Sequence, residues 1–424
     1  MLIKRSEQYF YDVSSRWLLL LCITIASCGI KPVAPASEID DLSGSAERMD
    51  RIDPELTAAA RELMAAYLEQ IELDLGAADK ALNDLYNEIN VFLDSPDDRL
   101  MERVQNSWLT AHSAYELTAL HRYFADLVLV ERDSLALFQL QYQINHWPIL
   151  PGYIDYLGSY TDSGIVSDIT IALELPGLRQ QHGSFDLSEV ILGFHALEFL
   201  IWGENLDRVT PRPPSDYEPI TQLPSAQSDS GIELLQLGNN RRRQLLVVIT
   251  EALIDDFQST QSLWRDGSIA FSENLQSMAS PELFILFMEA MTNMLTQEFL
   301  VRSLYPLLNG EYLESIQSPF SHSTQNAVSA QLSGLERLLL ESSTETGSTL
   351  DSLLVDISTD FEEFFYQNFD ASKECLVLLY SSLEEPQDPG AALRTEFEIV
   401  ECINLLTSMI DHLEQIKIGL SSPI

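Results

Sequence analysis

Residues 63–93 read LMAAYLEQIELDLGAADKALNDLYNEINVFL. Apolar side chains recur there at steps of three and four: Leu63, Ala66, Leu68, Ile71 and Leu73, then Leu82, Leu85, Ile89 and Phe92. A helix gathers such positions into one stripe, whereas a half-buried strand would need strict alternation. The same period runs through most of the chain and predicts helices at roughly 54–93, 97–128, 133–145, 187–203, 238–260, 281–308, 323–342, 347–381 and 390–419. Breakers such as Ser95-Pro96 and Asn309-Gly310 fall between them. Apolar stripes with no sheet to cover must pack on one another. The expected fold is therefore all-α, built as two packed helical bundles resembling four-helix bundles.

The clearest interruption is Asp207 to Leu237, which holds Pro211, Pro213, Pro214, Pro219 and Pro224. A loop that long reads as a domain connection. It divides an N-terminal bundle (51–206) from a C-terminal bundle (238–424). Ahead of both, Lys4, Arg5 and Arg16 precede an apolar run from Trp17 to Ser27, too short for the roughly 20 residues of a membrane-spanning helix. Positive charge, a short apolar core and small residues before a cut site mark a secretory signal over 1–27. Its end, Ile25-Ala26-Ser27-Cys28, resembles the bacterial lipobox, in which Cys28 is lipidated and becomes the mature N-terminus. Gly29 is not the aspartate that favours inner-membrane retention, so the outer membrane is the expected destination. Residues 28–50 then form a flexible tether rich in Pro, Ser and acidic side chains.

Asp and Glu number 65 against 24 Lys and Arg, a formal charge of −41, which repels nucleic acid and anionic headgroups as partners. A hydrophobic content of 46% nevertheless supplies a core, which excludes a disordered acidic chain. Of four cysteines, Cys22 leaves with the signal and Cys28 takes the lipid. Cys375 and Cys402 remain, in helical segments either side of a turn at 385–390, either paired in a disulfide or buried as free thiols.

The chemistry sits in Phe185–Glu204, FDLSEVILGFHALEFLIWGE. Asp186 with Glu189 reads as a capping box opening a helix. From Val190 to Trp202 that helix is apolar on nearly every side and should be buried. His195 and Glu198, three apart, share one face between Ile191 and Trp202. A buried glutamate is costly unless paired or metal-bound. Gly193 inside the helix implies a close backbone approach.

Gly193-Phe194-His195-Ala196-Leu197-Glu198 resembles the GxHxxE motif of the imelysin family, followed by its Leu-x-Trp-Gly, here Leu200-Ile201-Trp202-Gly203. Asn145-His146-Trp147-Pro148 and Gly152-Tyr153-Ile154-Asp155-Tyr156 are similar to the upstream "WPL…YIDY" stretch of that family. Trp108 with Tyr115-Glu116 matches its early helix, Asn239-Asn240-Arg241-Arg242 the opening of its second half, and Ser318–Thr324 its "SxFSxxT". Three positions depart: His112 stands where an arginine is common, Ala327 where an aspartate is common, and Glu298–Arg302 matches only loosely.

The resemblance implies an exported protein of two helical bundles, with the motif helix at the domain interface and a role in iron or other metal uptake. It implies metal ligands at His195, Glu198 and Glu116, and a cleft lined by Gly193, Trp202, Tyr115, Trp147, Asp155, Ser321 and Thr324. The cargo would be iron, with zinc or copper possible for the same donors. Partners would be the membrane, through the lipid on Cys28, and a metal-uptake membrane protein. The family was first classed as metallopeptidases, but no HExxH or HxxEH occurs here and no catalytic residue is assigned. A zinc peptidase using the same pair, and a structural lipoprotein whose pair only orders the core, are the alternatives.

Overall fold

The computed structural model describes residues 54–421 except 159, 206–209, 225–230, 342, 346, 359–360 and 385–390. The signal segment 1–27, Cys28, the tether 28–50, part of the connector 207–237 and the turn at 385–390 lie outside the described residues. Helix dominates, and no strand occurs among the described residues. No described helix is long and apolar enough to cross a membrane.

Eleven longer helices give the frame: α1 (Pro54–Asp94), α2 (Asp98–Leu117), α3 (Ala119–Val128), α4 (Glu131–Asn145), α5 (Phe194–Trp202), α6 (Gly238–Leu275), α7 (Ser280–Met294), α8 (Thr324–Leu340), α9 (Leu350–Ile357), α10 (Gln367–Glu384) and α11 (Ala391–Ser421). Residues Ile52–Ile424 gather into one compact unit. α1 packs on α2 and α6, and α6 on α4, so the chain beyond the connector returns first to helices that precede it. α7 lies against α3 and α11, and α8 lies between α2 and α10. Most of the stripe read from the sequence is the buried face of α1: Leu63, Ile71, Leu82, Leu85, Ile89 and Phe92 are inaccessible to solvent, whereas Ala66 and Leu68 are half-buried and Leu73 is exposed. Cys375 of α10 and Cys402 of α11 are disulfide-bonded, with Cα atoms 5.6 Å apart.

Two local breaks aim side chains at one place. At Thr118 the 97–128 helix divides, because the Thr118 hydroxyl donates to the Tyr115 carbonyl at 2.6 Å and competes with the helical ladder. The turn that follows carries Arg122 back towards α2. The π-helical stretch Leu295–Leu304 continues α7 and presents Glu298 and Arg302. Such irregular turns are common at functional sites.

The expected helix over 187–203 is half as long as predicted. Asp186 forms a turn instead of a helix cap: its side chain accepts from Ser188 N at 2.9 Å and its carbonyl from Glu189 N at 3.0 Å. Residues beyond run non-helically, held by Gly183 N to Glu189 O at 3.0 Å and Leu150 N to Ser188 O at 2.7 Å. Helix α5 begins only at Phe194, and Gly193 is its N-cap, with φ 88°. The close approach expected of that glycine is real: a Cβ there would lie 2.3 Å from the Gln143 carbonyl oxygen and 2.4 Å from that of Ile144. All nine residues of α5 are buried, among α2, α4 and α6.

Candidate functional site

α5 carries the pair. His195 Nδ1 lies 3.0 Å from Glu198 Oε2, the contact that a three-residue step on a helix permits. The other Glu198 oxygen accepts from Phe320 N at 3.0 Å, Ser321 N at 2.8 Å and the Ser321 hydroxyl at 2.7 Å. Ser321 and Thr324 thus belong to the loop that closes on the pair. Thr324 shapes that loop by accepting from Ser318 N at 3.1 Å. Burial pushes the Glu198 carboxyl up to about 7, against the lowering effect of the Ser321 and Phe320 hydrogen bonds. Burial, reinforced by His112 and Arg302, drives His195 well below its ordinary value. The imidazole is neutral at neutral pH. Its Nε2 is buried and has no hydrogen-bond partner among the described residues.

Trp108, Trp202 and Tyr115 build the wall behind the pair. The Trp108 indole donates to the Phe194 carbonyl at 3.0 Å and packs edge-on to Trp202, ring centroids 5.3 Å apart. Tyr115 lies 5.3 Å from the Phe194 ring, beneath the Arg122 guanidinium at 4.4 Å. His112 stacks on Trp108 at 4.7 Å and meets His195 edge-on at 5.3 Å.

Glu116 does not join His195 and Glu198 as a third free donor. One oxygen accepts from Asn145 Nδ2 at 2.6 Å and from the Gln317 amide, with His112 Nε2 at 3.4 Å. The other accepts from Gln331 Nε2 at 2.8 Å and Arg122 Nη2 at 3.3 Å. Burial alone would raise this carboxyl, but the His112 hydrogen bond, the Arg122 charge and the Gln331 amide hold it well below the usual carboxylate range. Glu116 is the ionised hub that ties α2, α3, α4 and α8 together behind His112.

Asp155 is equally committed. It pairs with Arg212 Nη1 at 2.8 Å and Arg242 Nε at 2.5 Å, fastening the connector to α6. Trp147 is buried with the Arg302 guanidinium 4.7 Å above its ring. Among the described residues no group of three His, Cys, Asp or Glu side chains could hold a metal ion.

Reading the sequence left out Arg122, Gln317 and Gln331 and gave His112 no role. Gln317 adjoins the Ser318–Thr324 motif, and His112 lies one helical turn from Glu116, so both had a positional signal. Gln331 had an indirect one in Gly334. A Cβ at Gly334 would lie 2.2 Å from the Leu117 carbonyl, so this glycine lets α8 approach α2 closely enough for Gln331 to reach Glu116.

The donor set decides what a metal could use. Glu198 has both oxygens engaged by protein hydrogens, and Glu116 likewise. Where Glu198 is ionised, above its raised value of about 7, Oε2 accepts from His195 Nδ1 and leaves a lone pair on Nε2. A carboxylate–histidine pair of that kind is the arrangement that presents a ligating imidazole. The residues fit a metal that brings part of its own coordination sphere.

Comparison with known proteins shows the family and the fold. The sequence profile of the imelysin (M75 peptidase) family matches residues 74–376. A structure described as an iron-regulated protein A precursor from Parabacteroides distasonis superposes with a TM-score of 0.58 at 12% identity, over 86% of this chain and 96% of that one. An imelysin-like protein from Psychrobacter arcticum aligns at 0.47 and 12% identity, over 85% of this chain and 93% of that one. No curated protein matches.

Proposed function

Because the chain belongs to the imelysin family, we propose that it captures a metal, iron foremost, at His195 in the cell envelope and serves metal uptake. The observation that carries this reading is the buried, neutral His195 with Nδ1 held by Glu198 and Nε2 without a partner. A buried polar atom left unmet costs about 1–3 kcal/mol, which a ligand at Nε2 would recover. Glu198 acts through His195: it fixes the tautomer and raises the basicity of the ligating nitrogen. One imidazole does not complete a coordination shell, so the cargo is a metal that keeps other ligands. The description of the Parabacteroides protein as iron-regulated favours iron; zinc or copper would accept the same nitrogen.

The envelope setting rests on the signal at 1–27 and the lipid expected on Cys28, which would anchor the protein to the outer membrane. From there it would pass its cargo to a metal-uptake membrane protein. A peptidase is less well supported. It needs three metal ligands and a free carboxylate to activate water, and here Glu116 is saturated with donors and Glu198 is held by His195 and the 320–321 loop.

The test is metal affinity of the purified full chain against its His195→Ala variant. Binding of Fe(II) lost in the variant, with helicity unchanged, is the expected result. Equal binding by both proteins, or none by either, would make the pair a device that orders the core.

A further inference from the structure

From Ser134 to Ile154 the chain carries no Asp, Glu, Lys or Arg, although these make up 21% of the protein. So uncharged a stretch would be expected to lie in the core, yet part of it stands in solvent. It holds most of α4 and the turn after it, and there Leu135 is 59%, Phe138 65% and Leu150 49% exposed. Leu135 and Phe138 lie three apart and share a side of α4, while Leu137 and Ile144 are buried and α4 packs on α6. Tyr142 follows one turn beyond Phe138, and its hydroxyl donates to the Leu187 carbonyl at 3.0 Å. Leu150 N donates to the Ser188 carbonyl at 2.7 Å. These two bonds hold the 185–189 turn alongside α4 and Leu150, and the turn adds Leu187, 65% exposed, and Phe185, 89% exposed. Single apolar side chains on a surface are ordinary, but a neighbouring group of this kind marks a docking surface.

The charges bordering this group are mostly acidic. Glu131 and Asp133 stand where α4 begins, with Arg132 paired to Asp133 at 2.8 Å. In the turn, Asp186 accepts from Ser188 N at 2.9 Å and Glu189 from Phe185 N at 3.3 Å, which fixes both carboxylates beside Phe185 and Leu187. A second copy docked here would bring together two chains of charge −41 and set like carboxylates against each other. A zwitterionic bilayer carries no net charge to repel the body. It offers ammonium groups to Asp186 and Glu189 at headgroup level, and an acyl boundary to the phenylalanines and leucines. The lipid expected on Cys28 would keep such a surface close, since a flexible chain as long as the expected tether spans about 25–30 Å.

We propose that Leu135, Phe138, Leu150, Phe185 and Leu187 form a docking face that seats the folded body on a zwitterionic phospholipid surface. Phe138 and Phe185 enter the boundary between headgroups and acyl chains, and Asp186 and Glu189 stay among the ammonium groups. The proposal takes its envelope setting from the proposed function and goes beyond it, because a lipid on a tether leaves the body free to turn. The end of α4 also seats Gly193 against the carbonyls of Gln143 and Ile144. Docking through α4 therefore fixes the direction in which the His195 helix faces the bilayer.

The experiment is tryptophan fluorescence of the chain as exported, mixed with vesicles of phosphatidylethanolamine and phosphatidylcholine, plain or brominated on the acyl chains near the headgroups. Reporters are placed singly as Phe138→Trp, Phe185→Trp and, for control, Leu378→Trp, which is 60% exposed on α10, where the helix packs on α8 and α11. Trp108, Trp147, Trp202 and Trp264 are buried and give a constant background. In plain vesicles the emission of Phe138→Trp and Phe185→Trp should shift to shorter wavelength and become shielded from iodide, and in brominated vesicles it should be lost. Leu378→Trp should stay open to iodide and keep its emission. Adding Leu135→Ser and Leu187→Ser to Phe185→Trp should restore access to iodide, as removal of neighbouring apolar area weakens docking. No loss to bromine at positions 138 and 185, or a loss equal to that of Leu378→Trp, overturns the face. Shielding from iodide without loss to bromine means that a protein surface, a second copy included, covers the patch, and overturns it too. The mass of the N-terminal peptide reads the lipid on Cys28 separately. An absent lipid beside loss to bromine at 138 and 185 removes the anchor and supports the face, whereas a lipid present without that loss removes only the face.

Discussion

Replacing Gly193 by alanine would test whether the site is built on a backbone contact. Gly193 has φ 88° and ψ −172°, a region open essentially to glycine alone. Placing a residue with a Cβ there costs about 1–3 kcal/mol in backbone strain. The added Cβ would also meet the carbonyl oxygens of Gln143 at 2.3 Å and Ile144 at 2.4 Å. Those are backbone atoms in the last turn of α4 and cannot swing aside as a side chain could. Overpacking of this kind costs a further 1–3 kcal/mol or so. The reduced freedom of the unfolded chain returns about 0.4–1 kcal/mol. A net loss of about 3 kcal/mol is expected for Gly193→Ala. Gly310 is the control, with φ 83° and nothing within 4 Å of an added Cβ, so Gly310→Ala should carry the strain alone and cost about 1 kcal/mol. Urea unfolding followed by circular dichroism measures both. Stabilities of the two variants within about 1 kcal/mol of each other would refute the claim that α5 is seated on the end of α4.

Gln331→Leu removes the 2.8 Å amide contact to the ionised Glu116 and should destabilise the protein by about 2 kcal/mol in urea, while Ser329→Ala, on the same helix, should change little. Glu198 has a folded-state value of about 7, raised from 4.5, so the folded chain holds its proton more tightly than the unfolded one. Its contribution is present below that ordinary value and is lost as pH rises through about 7, a fall on the order of 3 kcal/mol that Glu198→Gln should remove from the pH–stability curve. Reduction of Cys375–Cys402, separated by 27 residues, should lower stability by about 3–4 kcal/mol, and a thiol count on the unfolded, unreduced chain should find neither sulfur free.

Much of the fold was legible because helix periodicity is local. The stripe in α1, the breaks at Ser95-Pro96 and Asn309-Gly310, and the burial of Phe194–Trp202 all follow from side-chain order within a few turns. Besides the division at Thr118 and the extension of α6 to Leu275, the misjudged stretch was 187–193. Asp186 and Glu189 have the spacing of a capping box, but backbone bonds from Gly183 and Leu150 claim that segment first. Tertiary pairing overrode a local preference worth little more than 1 kcal/mol.

By itself, the sequence determined an all-α chain, the His195–Glu198 pair on one helical face and the motifs of the imelysin family, because each depends on residues a few positions apart. Only the tertiary structure decided which groups are free to bind. Glu116 pointed to a ligand in the sequence, yet Asn145, Gln317, Gln331 and Arg122 converge on it from distant parts of the chain and use its lone pairs. His195 differs from it because, among the described residues, none forms a hydrogen bond with Nε2. Hydrogen-bond saturation is a property of what folding brings within 3 Å, and spacing along the chain carries no record of it.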